Sequence, residues 1–553
     1  MMPCVTQRSG HTGGQKGIAL ITVVLIILLA VGVVAAAAIS VYHFWLKPRP
    51  PELSAKLMPP ETEVYLTLNL RPGASQLIKF RSVFNRFKDI EGFEDVFNDL
   101  MKKLEEEVGI DLKQNVFPWL VEVAVGAVDV SPPDKEPEVI FLAGTADRKS
   151  TERVLDKLLK YMETRGQRKF SSGEYRGYEY YTDNDRQHYA ITEDYLIFSS
   201  NKKHLEELID RIKDGGPSLV DETKFQTVQK ALPKERLGLI YADTETILKQ
   251  AVAKAEAKHL KAETLQQVED RLPSAVGLSA AFIDRGFRLD LYANIKGKKM
   301  PLLKPDRLTS ARLLPHDVLG LLSFADMATI WRETRSALKE GMGPKSKLLE
   351  EGLRMMPGIG LDAFFEQVTG ETAIALLPGK AVAAPYGSRG GVRAVALLEA
   401  GDRDKAQDLL NDVKDMIERM GMKLDRVSID QREAMVLKRF PAGGYSPGFM
   451  VLDRFLVMGT SEDTLAQLVD ISEGKGLPLA KNKAFAQPLD LLGDKNLMLY
   501  INLQKVINMV AGSLPHDYEH KYLPYLKPLE TFLIAGSATP EAGTATFLIT
   551  ISE

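Results

Sequence analysis

Cysteine is almost missing from this 553-residue chain: the one thiol is Cys4, and it precedes the long apolar run near the start. A disulfide framework, a cysteine metal knot and a redox cysteine pair are therefore excluded, and the thiol-free remainder suits an oxidising compartment. A lipoprotein signal would need its cysteine just after the apolar run, so that anchor is excluded too. The chain also lacks a glycine-rich phosphate loop and a dinucleotide fingerprint. Basic excess is missing as well. Lys and Arg number 71 against 74 Asp and Glu, and the first 50 residues hold four of the basic ones and no acid. The rest is mildly acidic, which argues against a nucleic-acid backbone as partner, since phosphate binding needs clustered Lys and Arg.

What is present is ordinary globular composition, 45% hydrophobic and 26% charged, over a length sufficient for two or three cores. From Ile18 to Ala38 only Thr22 interrupts an apolar stretch. At ~1.5 Å per residue such a stretch reaches across a hydrocarbon layer of ~30 Å. Tyr42, Phe44 and Trp45 then mark an aromatic belt, and Lys47, Pro48, Arg49, Pro50 and Pro51 end the helix. The expected organisation is a cytoplasmic tail at 1–17, a transmembrane helix at 18–41, a Pro-rich spacer at 42–56, an α+β repeat at 57–297, a linker at 298–313 and a second α+β repeat at 314–553. Arg8 and Lys16 balance Lys47 and Arg49 across the span, so orientation rests on the usual behaviour of N-terminal signal anchors, with the C-terminal part outside the cytoplasm. A rival reading takes Lys16-Gly17 and the apolar residues after it as the start of a minor pilin-like component, although Pro48 breaks the helix early.

The strongest internal signal is self-similarity. Residues 141–166 align without a gap on 396–421 at an offset of 255, with Asp147 on Asp402 and Arg148 on Arg403. Val154, Leu155, Leu158 and Met162 fall on Leu409, Leu410, Val413 and Ile417, a helical stripe in both copies. Residues 193–210 match 453–470 at 260, Phe225 meets Phe485, Tyr241 meets Tyr500, and Glu122 meets Glu371 at 249. Helices alternate with hairpins in each copy, so the fold class expected is α+β: an N-terminal membrane helix followed by two repeated units of antiparallel-rich sheet with packed helices.

The opening PPETEVYLTLNLRPG at Pro59, the block GIDLKQNVFPWLVEVAVGAV at Gly109, the strand AITEDYLIFSS and the phenylalanine of DETKFQTVQKALP carry a likeness. On them the chain resembles the bacterial family catalogued as domain of unknown function 3352. The resemblance covers most of 57–553 and implies an anchored or exported bacterial protein with this repeated unit. It supplies no catalytic residues.

Few residues offer chemistry. His516, Glu519 and His520 fit H-x-x-E-H, where two histidines one helical turn apart hold zinc and the glutamate acts as base. That pattern would make the protein a metal-dependent hydrolase, but Pro515 and Pro524 leave room for only about two turns, and a solvated polar helix is the plainer reading. Ser446 sits in a G-x-S-x-G match that runs into a strand and is followed by Pro447, so a hairpin loop is expected in place of a nucleophile elbow. Asp183-Asn184-Asp185 lacks the remaining acids of a calcium loop and reads as a turn. Tyr175, Tyr178, Tyr180, Tyr189 and Tyr195 could line a ligand groove, with cross-strand packing the commoner use. Gly379 to Gly391 reads as a loop. No catalytic, cofactor or metal residue is assigned, and no cofactor is expected. The function expected is a non-enzymatic binding or scaffolding module of the cell envelope, with the membrane and an envelope protein or lipid as partners and nucleic acid excluded.

Overall fold

The computed structural model describes residues 53–552 apart from 91, 109, 131–136, 167–168, 184–185, 257–271, 298–308, 343–360, 380–381, 385–386, 390, 439–445, 493–494 and 512–522. The chain divides into two compact units, one ending at Asp284 and the other beginning at Arg285. The membrane helix expected at 18–41 lies outside the described residues. No described helix is long and apolar enough to cross a membrane. The expected architecture is corrected accordingly: the described residues form a large antiparallel sheet of 20 strands with helices, plus a two-stranded ribbon. Long strands with residues such as Val, Leu, Tyr and Phe at alternating positions make sheet the dominant element of the described residues.

Unit 1 contributes β1 (Val64–Asn69), β2 (Leu120–Val128), β3 (Glu138–Thr145), β4 (Phe170–Tyr175), β5 (Tyr178–Asp183), β6 (Gln187–Ile191), β7 (Tyr195–Ser199), β8 (Gly238–Ala242) and β9 (Ala275–Ile283). Their antiparallel ladders give the spatial order β4-β5-β6-β7-β3-β2-β1-β8-β9. Arg176 and Gly177, both at positive φ, make the two-residue turn between β4 and β5, the backbone twist that short hairpins favour. The helix Arg148–Gly166 starts where the Asp147 carboxylate accepts from the backbone N–H of Lys149, and it lays Val154, Leu155 and Leu159 into a core with Trp119, Tyr189 and Leu196. The helix Lys202–Asp214 is capped by Asn201 and buries His204, Leu205, Leu208 and Ile209.

Unit 2 contributes β10 (Gly286–Asn294), β11 (Gly320–Ala325), β12 (Glu371–Pro378), β13 (Val382–Ala384), β14 (Gly387–Arg389), β15 (Val392–Glu399), β16 (Asp425–Ile429), β17 (Arg432–Val436), β18 (Gly448–Leu452), β19 (Phe455–Gly459), β20 (Leu497–Asn502), β21 (Leu529–Ala538) and β22 (Ala542–Ile551). Here the order is β16-β17-β18-β19-β15-β12-β11-β20-β21-β22-β10, with β13 and β14 forming the separate ribbon inside the Gly379 to Gly391 stretch. Asp430 and Gln431, again both at positive φ, turn β16 into β17. The helix Arg403–Arg419 is capped by Asp402 and buries Leu409, Leu410, Val413 and Ile417. Ser461 caps the helix Glu462–Ser472, whose Leu465, Leu468 and Val469 are buried.

Each unit keys its helix-covered sheet face with an aromatic pair. Phe225 meets Tyr241 edge-on at 5.1 Å in unit 1, and Phe485 meets Tyr500 edge-on at 4.9 Å in unit 2. All four rings are fully buried. Each unit also buries one carboxylate among hydroxyls at the start of the strand pair. Glu122 accepts from Ser54 at 2.7 Å and Thr67 at 3.0 Å, while Glu371 accepts from the Ser310 backbone at 2.7 Å, the Ser310 hydroxyl at 2.6 Å, Ser323 and the Thr309 backbone. A buried carboxylate is tolerated where donors replace its water, and these sets do so.

Candidate functional site

His516, Glu519 and His520 lie outside the described residues, as do Asn184 and Asp185. Asp183 ends β5, and its carbonyl accepts from the Arg186 backbone at 2.9 Å, which is a turn. Ser446 leads into β18 through a backbone bond to Thr460 and stands at no strand-to-helix elbow.

The tyrosines are spread over the β4 to β7 ribbon and do not line a single groove. Tyr181 faces Tyr189 across the ladder, and Tyr189 packs against Phe170 and Phe198 in the core. Tyr175 donates to Asp210 at 3.1 Å. Lys202 stands 5.3 Å from the Tyr180 ring and Lys213 4.3 Å from the Tyr178 ring. The Tyr178 hydroxyl donates to Glu193, which holds that carboxyl below its ordinary range, while burial pushes the Tyr178 hydroxyl up. Tyr195 of this group reaches a cleft. That cleft has a volume of about 550 Å³ and is lined also by Leu53, Lys56, Asp194, Arg211 and Asp221.

The feature with the widest reach lies on the sheet of unit 2. An antiparallel strand normally alternates apolar and polar side chains because one face meets water. β11, β12 and β20 break that rule. Their inward positions include Leu321, Ala373, Ala375, Leu377, Met498 and Tyr500, all buried. On the other face stand Leu322 and Phe324 of β11, Ile374 and Leu376 of β12, and Leu497, Leu499 and Ile501 of β20. The register sets them side by side. Leu322 faces Ile374 on one side and Leu499 on the other, Leu499 faces Ile534, and Ile534 faces Phe547. Ile374, Leu376, Leu497 and Ile549 are 43%, 45%, 39% and 36% exposed. Scattered exposed apolar residues need no explanation, whereas a contiguous row across hydrogen-bonded strands does.

Sequence reasoning missed this face. The signal was the apolar residue at both parities in LLSF, AIALL and LMLYI, which marks a strand with two dry faces.

A family model described as "Protein of unknown function (DUF3352)" matches residues 19–445. No curated protein matches the chain. Among solved structures, TP0453 in crystal form III is 13% identical with a TM-score of 0.24, covering 46% of this chain and 82% of that one. Crystal form I of TP0453 gives 9% identity and a TM-score of 0.23, covering 46% and 81%. Those scores are too low to define a shared fold.

Proposed function

The chain belongs to the family of proteins of unknown function DUF3352, and from that starting point we propose that it is a non-enzymatic binding module that works outside the cytoplasm and takes the acyl chains of lipids on the open sheet face of unit 2. The observation that carries this reading is the in-register apolar row of β11, β12, β20, β21 and β22, with Ile374, Leu376, Leu497 and Ile549 facing outward. Aliphatic and phenylalanine side chains dominate the row, and the strands β11, β12 and β20 place no charged residue on it. Protein interfaces concentrate their energy in Trp, Tyr and Arg, so a face of Leu, Ile and Phe fits hydrocarbon better. Each methylene of an acyl chain laid on such a surface contributes ~0.8 kcal/mol when fully buried. The mildly acidic, thiol-free soluble part supports the placement outside the cytoplasm.

Titration of the purified chain with a fluorescent long-chain fatty acid tests the reading. The unaltered protein should bind saturably, and the double variant Ile374→Glu, Leu376→Glu should bind at least about tenfold more weakly while keeping its far-ultraviolet circular dichroism. Saturable binding that the double variant leaves intact, or no binding by the unaltered protein, would overturn it.

A further inference from the structure

Unit 1 gathers three possible metal ligands that the sequence does not advertise. His204 and Glu207 stand one turn apart on the helix Lys202–Asp214, and Glu61 comes from the segment just before β1. One ligand atom from each lies within 4.8 Å of the others. His204 is 4% exposed. Its Nε2 sits 2.8 Å from the Glu138 carboxylate at the start of β3, and Nδ1 sits 3.4 Å from Glu207. A neutral imidazole carries one N–H. The shorter contact assigns that hydrogen to Nε2, where it donates to Glu138. Nδ1 then presents a lone pair toward the Glu207 carboxylate, which also only accepts. A divalent cation placed between them, at the half-buried end of the helix, would meet both lone pairs and reach Glu61 as well.

We propose that Glu61, His204 and Glu207 form a binding site for a first-row divalent cation of the Zn²⁺ class. The arrangement has the form in which a carboxylate orients a histidine for a metal: Glu138 fixes the tautomer and the ring, and the free nitrogen ligates. One imidazole and two carboxylates are an N/O donor set that suits Zn²⁺, with water completing the coordination. Zn–N and Zn–O bonds of ~2.0 Å require the two glutamates to close on the ion. Lys203 at 3.5 Å and Arg211 at 3.8 Å also face Glu207, so cation entry displaces part of that pairing.

Unit 2 supplies an internal control. At the offsets that align the two units, Glu61, Glu138, His204 and Glu207 correspond to His316, Arg393, Thr464 and Gln467. There Arg393 donates to Gln467 at 2.9 Å, and the charge pattern is reversed. The inference thus gives one such site per chain, and it stands apart from the lipid reading.

The test is calorimetric titration of the metal-stripped, untagged full chain with Zn²⁺, with the absorption of a Co²⁺ complex as a second readout. The site should persist in the His516→Ala, His520→Ala double variant. It should be lost in His204→Ala and weakened at least tenfold in Glu61→Gln, a surface change that leaves the fold intact. Circular dichroism in chelator should be the same for the parent and for Glu61→Gln. Absence of a saturable site, or a site that Glu61→Gln leaves unchanged or that disappears with His516 and His520, would overturn the proposal.

Discussion

The two units put different chemistry on a matching order of strands. The spatial order of nine strands from β4 to β9 in unit 1 is the order from β16 to β21 in unit 2 once the ribbon β13–β14 is set aside. Their apolar keys agree closely, with edge-on rings at 84° and 88° between planes. Their charges do not. Unit 1 places Lys224 against Asp243 and Glu245, where the alignment puts the uncharged Ala484, Asn502 and Gln504 in unit 2. Packing is held while surface and half-buried charge varies. Core positions are constrained by shape on every side, and charged positions need only a partner or water.

The sharpest way to break the comparison is to remove its keys. Phe225→Ala and Phe485→Ala should each lower stability by about 3–5 kcal/mol, because each leaves a ring-sized void beside a buried tyrosine. Urea unfolding followed by tyrosine fluorescence would measure both. If one substitution costs under about 1 kcal/mol, the two rings do not play the same part.

The buried carboxylates come next. Glu371→Ala strands donors from Thr309, Ser310 and Ser323 in a fully buried place. A loss on the order of 3 kcal/mol follows, since unsatisfied buried donors retain their desolvation cost. Glu371→Gln keeps one acceptor oxygen and should lose about half as much. Glu122→Ala should fall in the same range, through Ser54 and Thr67. Thermal unfolding of the three variants decides the matter: a neutral Glu371→Ala would mean that water satisfies those donors.

How much of this was legible follows from the kind of signal each feature leaves. The matches of Phe225 to Phe485 and Tyr241 to Tyr500 and the stripe Leu409, Leu410, Val413 and Ile417 were readable, because periodicity and spacing along the chain encode burial directly, whereas the capping by Asp147 and Asp402 and the ring contacts emerged only in the fold. The membrane-helix part of the fold expectation was not supported, since the strand ladders dominate the described residues and no helix among them is long and apolar enough to cross a membrane. The sheet face of unit 2 was missed: LMLYI entered only through the match of Tyr500 to Tyr241, and which face of a strand lies open depends on how helices pack, which the period of two does not say. The His204 cluster was hidden for a different reason. Its four side chains come from three places in the chain, and His204 and Glu207 lay inside HLEELID, a stretch that was read for its match to unit 2 and not for its ligand atoms. His516 and His520, four positions apart, drew the notice that the scattered set deserved on chemical grounds.

The smallest expected effect concerns acid, and it separates the units by charge alone. Lys224 contacts Glu245 at 3.0 Å and Asp243 at 2.8 Å, and Lys249 contacts Glu245 at 2.7 Å. Hydrogen bonds from Lys249 and then Lys224 bring the Glu245 carboxyl down to about 2 from an ordinary 4.5. A carboxyl whose value is lower in the folded state than in the unfolded chain binds protons more weakly when folded, so its stabilisation is complete above about 4.5 and disappears as the pH falls through about 2. Glu245 is a quarter exposed, so solvent screening leaves this contribution on the order of 1 kcal/mol. Ala484 and Gln504 do not titrate, so unit 2 has no such pair to lose at these positions. Hydrogen exchange of backbone amides at pH 6 and pH 2.5 can follow β8 and β20 separately. After correction for the intrinsic pH dependence of exchange, β8 protection should fall more than β20 protection. Glu245→Gln, which gives unit 1 the side chain that unit 2 carries there, should remove most of the difference. Equal losses in the two strands, or a difference that survives Glu245→Gln, would show that the charge cluster around Lys224 does not set the acid response of unit 1.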